Sequence, residues 1–352
     1  MPRIRVLIAE DSVTIRKWLV EALSREPDLE VVGEAEDGRR AIELCQSLRP
    51  DVVTMDMMMP VMTGLAATEY IMAYCPTPIL IVSASTNRGE LFRTYDALAA
   101  GAVDVIEKPQ AEDAEDAWVR RCAAALRVVS RIKVITHPRA RLGLAKTRPS
   151  TAWDQPEAAR EAPRQVVALG ASTGGPGALA GILGALPKDF ALPILLVIHI
   201  GRSFAGSFAE WLDAQTALNV RYAEDGESLP DGGTVLMAPP ERHLVAGKHR
   251  VHLSDAPERH SCRPSVDVLF ESVAREYGAR AAGFLLTGMG RDGAAGLLAL
   301  RRAGAATFAQ DEASCVVFGM PREAIQLGAA ERVLPLDRMP AALLQLAGEA
   351  RG

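Results

Sequence analysis

A serine stands in Gly170-Ala171-Ser172-Thr173-Gly174-Gly175, directly after the apolar run Val166-Val167-Ala168-Leu169. The spacing is G-x-S-x-G, in which a strand delivers a hydroxyl at a sharp turn, and residues 179–186 behind it read as a helix. Glycines on both sides permit the turn and leave room for a substrate to reach the hydroxyl. A helix start behind the serine offers unpaired N–H groups and a positive dipole end, which suit a developing oxyanion. The same turn can instead cradle a phosphate, so the motif alone leaves two readings open. Two more groups bear on the choice. His199 closes the apolar run 194–198, and Asp292 lies in Leu286-Thr287-Gly288-Met289-Gly290-Arg291-Asp292-Gly293, after another apolar run. A lone histidine after a strand is more often structural. Beside an elbow serine and an aspartate at other strand ends, it can take the hydroxyl proton while the carboxylate holds its tautomer. The order Ser…His…Asp differs from the Ser…Asp…His of α/β-hydrolases, so the motif does not argue for that fold.

A second set of groups occupies the first third of the chain. Glu10 and Asp11 follow the apolar residues 4–9, Asp56 follows 51–55, Ser83 follows 79–82 and Lys108 follows 102–106. Loops carry charge, which explains any one of these. Five complementary groups at successive strand ends are harder to dismiss. The carboxylates of Glu10, Asp11 and Asp56 make a hard-oxygen pocket suited to Mg²⁺, which binds few protein ligands alongside water and phosphate oxygens. Asp56 can then accept a phosphoryl group, with Mg²⁺ and Lys108 neutralising its charge and Ser83 hydrogen-bonding one of its oxygens.

Two sheets are needed to hold these groups. Strands at 4–9, 29–35, 51–55, 79–82 and 102–106 alternate with helices at 14–25 and 41–48, then from Gly64 and from Arg88, with a last helix over 113–134. That alternation predicts a doubly wound, flavodoxin-like parallel sheet, whose functional groups gather at the carboxyl ends of its strands. Further on, strands at 166–169, 194–198, 234–238, 249–253 and 282–286 alternate with helices at 179–186, 207–215, 266–277, 294–303 and 322–327. They predict a second doubly wound α/β domain, Rossmann-like in type. Between the two, residues 137–164 carry Pro138, Pro149, Pro156 and Pro163 and no periodic apolar face, which reads as a linker. Its Arg139, Arg141, Lys146 and Arg148 read as solvated rather than as an anion site. The expected organisation is a phosphoacceptor domain over 1–126, a linker over 127–164 and a catalytic domain over 165–352.

Composition narrows the function classes. The 352 residues are 49% hydrophobic and 24% charged, a globular balance, and a net charge of −5 disfavours nucleic-acid binding. Five cysteines lack C-x-x-C spacing and are odd in number, which argues for reduced thiols and against a disulfide framework or zinc site. The first residues lead straight into a strand without a secretory signal, and the most apolar stretch, 191–200, is too short to span a membrane. A cytoplasmic protein is expected.

From about residue 4 to 126 the chain resembles a two-component receiver domain, on Glu10-Asp11, Asp56 followed by Pro60 and Gly64, Ser83 and Lys108-Pro109. It departs at Val105, where receivers often carry an aromatic switch residue, and at Met58, where relatives often have Glu. The second half resembles the catalytic domain of the chemotaxis protein-glutamate methylesterases, the CheB family. The matching stretches are the Ser172 turn, Arg263-Pro264-Ser265-Val266-Asp267, the 286–294 run and Ala313-Ser314-Cys315-Val316-Val317-Phe318-Gly319-Met320-Pro321. The resemblance implies Ser172 as nucleophile, His199 as base and Asp292 as its orienting carboxylate, with backbone N–H groups near Thr173 and Met289 as an oxyanion hole. It further implies hydrolysis of glutamate methyl esters on chemoreceptor helices, without a cofactor for the ester chemistry, and a possible deamidation of glutamines. The implied partners are a methylated chemoreceptor and a chemotaxis histidine kinase as phosphodonor, with membranes met only through the receptor. A monomer is expected.

Other residues stay open. Ile200-Gly201-Arg202 replaces the proline-containing turn of many relatives and bears on target preference. His243 reads as part of a loop shaping the cleft, with His260 nearby, and His249 and His252 as surface residues alternating in one strand. Arg263, Ser265 and Asp267 open a helix, either capping it or touching substrate. A transcriptional regulator is the first rival reading, but it needs a small output domain with a basic recognition helix. A nucleotide-binding module is the second; Pro176 stands where another phosphate-loop glycine is wanted, and His199 and Asp292 have no role in it.

Overall fold

The computed structural model describes residues 2–84, 87–109, 115–132, 134 and 165–351. Most of the expected linker, residues 135–164, lies outside them, as do residues 110–114. The chain divides into two compact units, Met1–Ala145 and Lys146–Gly352.

In the first unit the strands are β1 (Ile4–Ala9), β2 (Leu29–Ala35), β3 (Val52–Met55), β4 (Ile79–Ser83) and β5 (Asp104–Glu107). They form one parallel sheet in the order β2-β1-β3-β4-β5. Both faces of such a sheet are covered by helices, which is why β1, β3 and β4 are short, mainly apolar runs. Four of the helices, Val13–Ser24, Gly38–Leu48, Gly64–Tyr74 and Arg88–Ala99, start on side-chain caps from Ser12, Asp37, Thr63 and Asn87. The last, Glu115–Val129, stops five residues short of the expected end at 134. The strand order reverses between β1 and β3, and the crevice outside their carboxyl ends is where such sheets bind ligands.

The second unit is built on a seven-stranded parallel sheet. Its strands are β6 (Val166–Ala171), β7 (Ile194–Ile198), β8 (Asn219–Tyr222), β9 (Thr234–Met237), β12 (Ala281–Leu285), β13 (Ala306–Gln310) and β14 (Arg332–Leu334). They lie in the order β14-β13-β12-β6-β7-β9-β8. β10 (His243–Gly247) and β11 (Arg250–Ser254) form a separate antiparallel hairpin. The expected strand at 249–253 is present one residue later, as β11, but outside the parallel sheet, and His243, expected in a loop, begins β10; His249 sits in the hairpin turn with φ +59°, His252 lies in β11, and both are exposed. The helix behind the serine begins at Gly175, four residues earlier than expected. Pro176 in its first turn costs no hydrogen bond, because no intrahelical acceptor is available there.

Packing at the centre of this sheet is tight. Phe284 of β12 and Phe308 of β13 stack with ring centroids 4.3 Å apart. A side chain at Gly170 would put its Cβ 2.3 Å from Val266 Cγ1, so the helix Val266–Tyr277 sits directly against the end of β6. Two aromatic rings so placed add about 0.5–1.5 kcal/mol beyond the area they bury.

Candidate active site

Three adjacent strands of the second unit, β12, β6 and β7, deliver the three groups singled out by their chemistry. The register pairs Ala171 with Ile198 and Gly170 with Leu285. One step beyond the first pair stand Ser172 and His199, side by side at the carboxyl edge. The Ser172 N–H bonds the Thr287 carbonyl at 3.0 Å, and the His199 N–H bonds the Ala171 carbonyl at 3.0 Å, so both turns are pinned to the sheet. Asp292 reaches the same edge from the turn after β12, and its Oδ2 lies 2.9 Å from His199 Nε2. The ring's other nitrogen, Nδ1, faces the Cys262 sulfur at 3.8 Å. Among the described residues, no hydrogen bond joins the Ser172 hydroxyl to His199; such bonds often tighten only when substrate is bound.

Asp292 is buried, and its carboxylate is met by donors on every side. Oδ1 accepts from the Ser265 hydroxyl at 2.7 Å and the Asp267 N–H at 3.2 Å, and Oδ2 from the Val266 N–H at 2.7 Å. These three donors are the first turn of the helix Val266–Tyr277, whose positive end favours an anion. Burial works against the charge, but His199 and these donors outweigh it and hold the Asp292 carboxyl below its usual range. For His199 burial favours the neutral ring, and the contacts with Asp292 and Cys262 overcome it, raising the pKa to about 9.

The N–H groups of Thr173 and Met289 donate to no acceptor among the described residues. Met289 follows Gly288, where a Cβ would lie 2.7 Å from the Ser172 Cβ, so glycine is required for the two turns to meet. Gly174 adopts φ +79° at the helix start, and a Cβ there would meet Val316 Cβ at 2.5 Å.

Residues left open by the sequence find their places. Ser265 caps its helix and holds Asp292, while Asp267, fully buried, accepts the Gly296 N–H at 2.6 Å and lies 3.2 Å from His260 Nε2. His243 is buried and bonded to Pro257 and Ser265. Cys262, 63 positions from His199 in sequence, drew no attention from spacing, and neither did the direct bond between Ser265 and Asp292. Ile200 and Arg202 line a small, open cleft with Tyr222, Met237, Pro240 and Arg263, and Arg202 is paired with Glu241.

The first unit gathers its own set at the carboxyl ends of β1, β3, β4 and β5. Lys108 Nζ lies 2.9 Å from both Glu10 Oε2 and Asp56 Oδ2. Oxygens of Glu10, Asp11 and Asp56 lie within 4.8 Å of one another, and of the three residues only Asp11 is exposed. Burial raises the Glu10 and Asp56 carboxyls above their usual range despite Lys108, and Glu10 is raised further by Asp56. Burial alone would lower Lys108, but Asp56 and Glu10 raise it. Three desolvated or crowded carboxylates facing one ammonium leave an excess of negative charge, which fits a hard divalent cation such as Mg²⁺. Ser83 is less free than its position suggests. Its hydroxyl donates to the buried Glu90 Oε1 at 2.9 Å and accepts from Thr94 Oγ1 at 3.2 Å.

Residues 167–343 match the CheB methylesterase family, and residues 6–117 match the response regulator receiver domain. A protein-glutamate methylesterase/protein-glutamine glutaminase 2 of Anaeromyxobacter dehalogenans is 47% identical over 343 residues, covering 97% of each chain. A protein-glutamate methylesterase/protein-glutamine glutaminase of Nitrosospira multiformis is 44% identical over 98% of each. Among solved structures, the CheB methylesterase catalytic domain of Thermotoga maritima is similar over 53% of this chain and 100% of its own, with a TM-score of 0.50 and 38% identity. With both halves matched in this order and relatives aligned along nearly its whole length, the chain belongs to the CheB family of receiver-linked methylesterases.

Proposed function

We propose that this chain hydrolyses glutamate methyl esters on the cytoplasmic helices of a methylated chemoreceptor, releasing methanol, under control of phosphorylation at Asp56. The observation that carries the reading is the 2.9 Å contact between His199 Nε2 and Asp292 Oδ2, at the sheet edge beside Ser172. With Nε2–H given to Asp292, Nδ1 is the nitrogen left to accept a proton. In this reading the Ser172 oxygen attacks the ester carbonyl as its proton passes to His199 Nδ1, and the N–H groups of Thr173 and Met289 receive the oxyanion. His199 returns the proton to the departing methoxide, methanol leaves, and an acyl-enzyme remains. Water then attacks with His199 again as base, giving glutamate and free Ser172. The same steps on glutamine release ammonia, the second activity in the names of the relatives.

In the first unit, Asp56 is the phosphoacceptor, and Glu10, Asp11 and Asp56 would hold Mg²⁺, which would supply charge neutralisation on the transferring group. Lys108 stands against the same carboxylates, where it can share that charge, and the Ser83 hydroxyl would hydrogen-bond a phosphoryl oxygen after turning from Glu90. A histidine kinase is the phosphodonor. A cytoplasmic location accords with five free cysteines, and among the described residues no helix is long and apolar enough to cross a membrane.

Methanol release from methylated receptor membranes tests the assignment. Ser172→Ala and His199→Ala should each lower the rate by about 10³-fold or more, non-additively in combination. Retention of a tenth of the wild-type rate by Ser172→Ala sinks the nucleophile assignment. Acetyl phosphate with Mg²⁺ should label the wild-type chain and leave Asp56→Asn unlabelled, and persistent labelling moves the phosphoacceptor elsewhere.

A further inference from the structure

His243 and Ser265 take part in no step above, yet hydrogen bonds run unbroken from them to the reacting groups. His243 is buried at the first position of β10. Its Nε2 lies 3.2 Å from the Pro257 carbonyl oxygen, which can only accept, so Nε2 carries the ring proton. Nδ1 is then bare, and it accepts the Ser265 main-chain N–H at 3.1 Å. Both nitrogens are committed and the ring is neutral; a protonated ring has no lone pair left for Ser265. The Ser265 hydroxyl has one hydrogen, and it goes to Asp292 Oδ1 at 2.7 Å, while its lone pair faces the Val268 N–H at 3.4 Å. The other oxygen of Asp292 is the one presented to His199.

We propose that Ser265 and His243 are positioning residues: His243 fixes the Ser265 main chain, and the Ser265 hydroxyl fixes the rotation of the Asp292 carboxylate so that Oδ2 faces His199. The inference rests on the assignment of Asp292 as the partner of His199. A carboxylate turns easily about its last torsion, which is broad and two-fold. An imidazole that must accept a proton at one nitrogen while donating from the other depends on an acceptor that stays in place. The N–H groups of Val266 and Asp267 share the task, so losing the Ser265 hydroxyl weakens the hold without abolishing it. Hydrogen bonds to charged groups of this kind correspond to about tenfold or somewhat more in rate or affinity.

The experiment measures kcat, KM and their pH dependence for the full-length chain on methylated receptor, with thermal unfolding of every variant alongside. Ser265→Ala should lower kcat about tenfold and leave KM within twofold. The pH at which kcat/KM levels off should also move down, because a loosely held Asp292 supports the His199 cation less. His243→Asn, whose side-chain oxygen can still accept the Ser265 N–H, should keep most of the rate, whereas His243→Leu should match Ser265→Ala. In an Asp292→Ala background, Ser265→Ala should cost nothing more. The proposal is overturned by a folded Ser265→Ala with wild-type kcat and pH profile, or by the same tenfold loss when Asp292 is already gone. If Ser265→Ala fails to fold, equal rates for His243→Asn and His243→Leu overturn it. A near-wild-type rate for Asp292→Ala is a different failure, that of the triad itself.

Discussion

In the proposed mechanism His199, as the base, sets the pH response of the reaction. The ring must be neutral at Nδ1 to take the Ser172 proton, and its contacts hold the pKa up to about 9. Below that pH most of the free enzyme carries the imidazolium. The sign is therefore fixed: kcat/KM should rise with pH, close to tenfold per unit well below the pKa, and level off near pH 9. A profile already flat from pH 6 would mean that the ring is neutral in the free enzyme. Cys262 is one cause of the raised value, through its sulfur 3.8 Å from Nδ1. Cys262→Ser should move the rising limb to lower pH and raise the rate at pH 7. An unmoved limb would leave Asp292 as the group that holds the charge. Asp292→Asn tests the other side of the ring. An amide can donate to Nε2 and favour the wrong tautomer, a change that costs about 10⁴-fold in serine proteases.

At the scale of elements, each site depends on where a strand stops and how sharply the chain turns. Gly174 bridges β6 and its helix with φ +79°, and a methyl group there would run into Val316. Gly174→Ala should destabilise the second unit by about 1–3 kcal/mol, as expected for a strained left-handed residue, and displace the Ser172 turn. A thermal transition within a degree of wild type would mean that the turn has room to relax. In the first unit, β4 is tied to the helix Arg88–Ala99 by Glu90, which takes the only hydrogen of the Ser83 hydroxyl. In the proposed reading a phosphoryl oxygen on Asp56 would compete for that hydrogen, so Glu90→Gln, a weaker acceptor, should raise the affinity for beryllofluoride with Mg²⁺. Unchanged affinity within twofold would show that Glu90 does not oppose the turn of Ser83.

Much of this was legible in the sequence, and what was not has physical causes. The helix Val266–Tyr277 could be read to the residue because Ser265 caps it and Gly278 ends it. The apolar strands ending in Glu10, Asp56, Ser172 and His199 announced themselves because a parallel sheet buries both of their faces. β8 and β14 were not read: they are short edge strands with polar or half-exposed residues and too little apolar pattern to stand out. β13 ends on Gln310, a polar residue that is fully buried because it bonds the Thr287 N–H and the Ser314 carbonyl. Of the hairpin only β11 is legible as a strand; β10 reads as loop after Pro239-Pro240, and the turn at His249 carries no glycine at its positive-φ position to mark a hairpin. The contacts of Cys262 with His199, of Ser265 with Asp292 and of Glu90 with Ser83 are products of tertiary folding. No periodicity encodes them.

The whole chain joins a phosphoacceptor unit to an esterase unit through one covalent connection, and that connection has a thermodynamic consequence. Joining two units in one chain raises the effective concentration of each at the other, so a coupling between them would need no separate encounter. Phosphorylation can change the esterase rate only by as much as it discriminates between the states of the whole molecule, commonly about 5–150-fold. Val105 stands where receivers often carry an aromatic switch residue, so a response toward the lower end is expected. We predict that the unphosphorylated receiver restrains the esterase. A fragment beginning at Gln165 should then release methanol faster than unphosphorylated full-length chain and be indifferent to acetyl phosphate. Full-length chain should approach the fragment's rate when acetyl phosphate and Mg²⁺ are added, and Asp56→Asn should lose that response while keeping the basal rate. A fragment no faster than the unphosphorylated chain rules out restraint. The receiver would then have to act by positive contribution, and the phosphorylated full-length chain should exceed the fragment, a comparison the same four rates already contain.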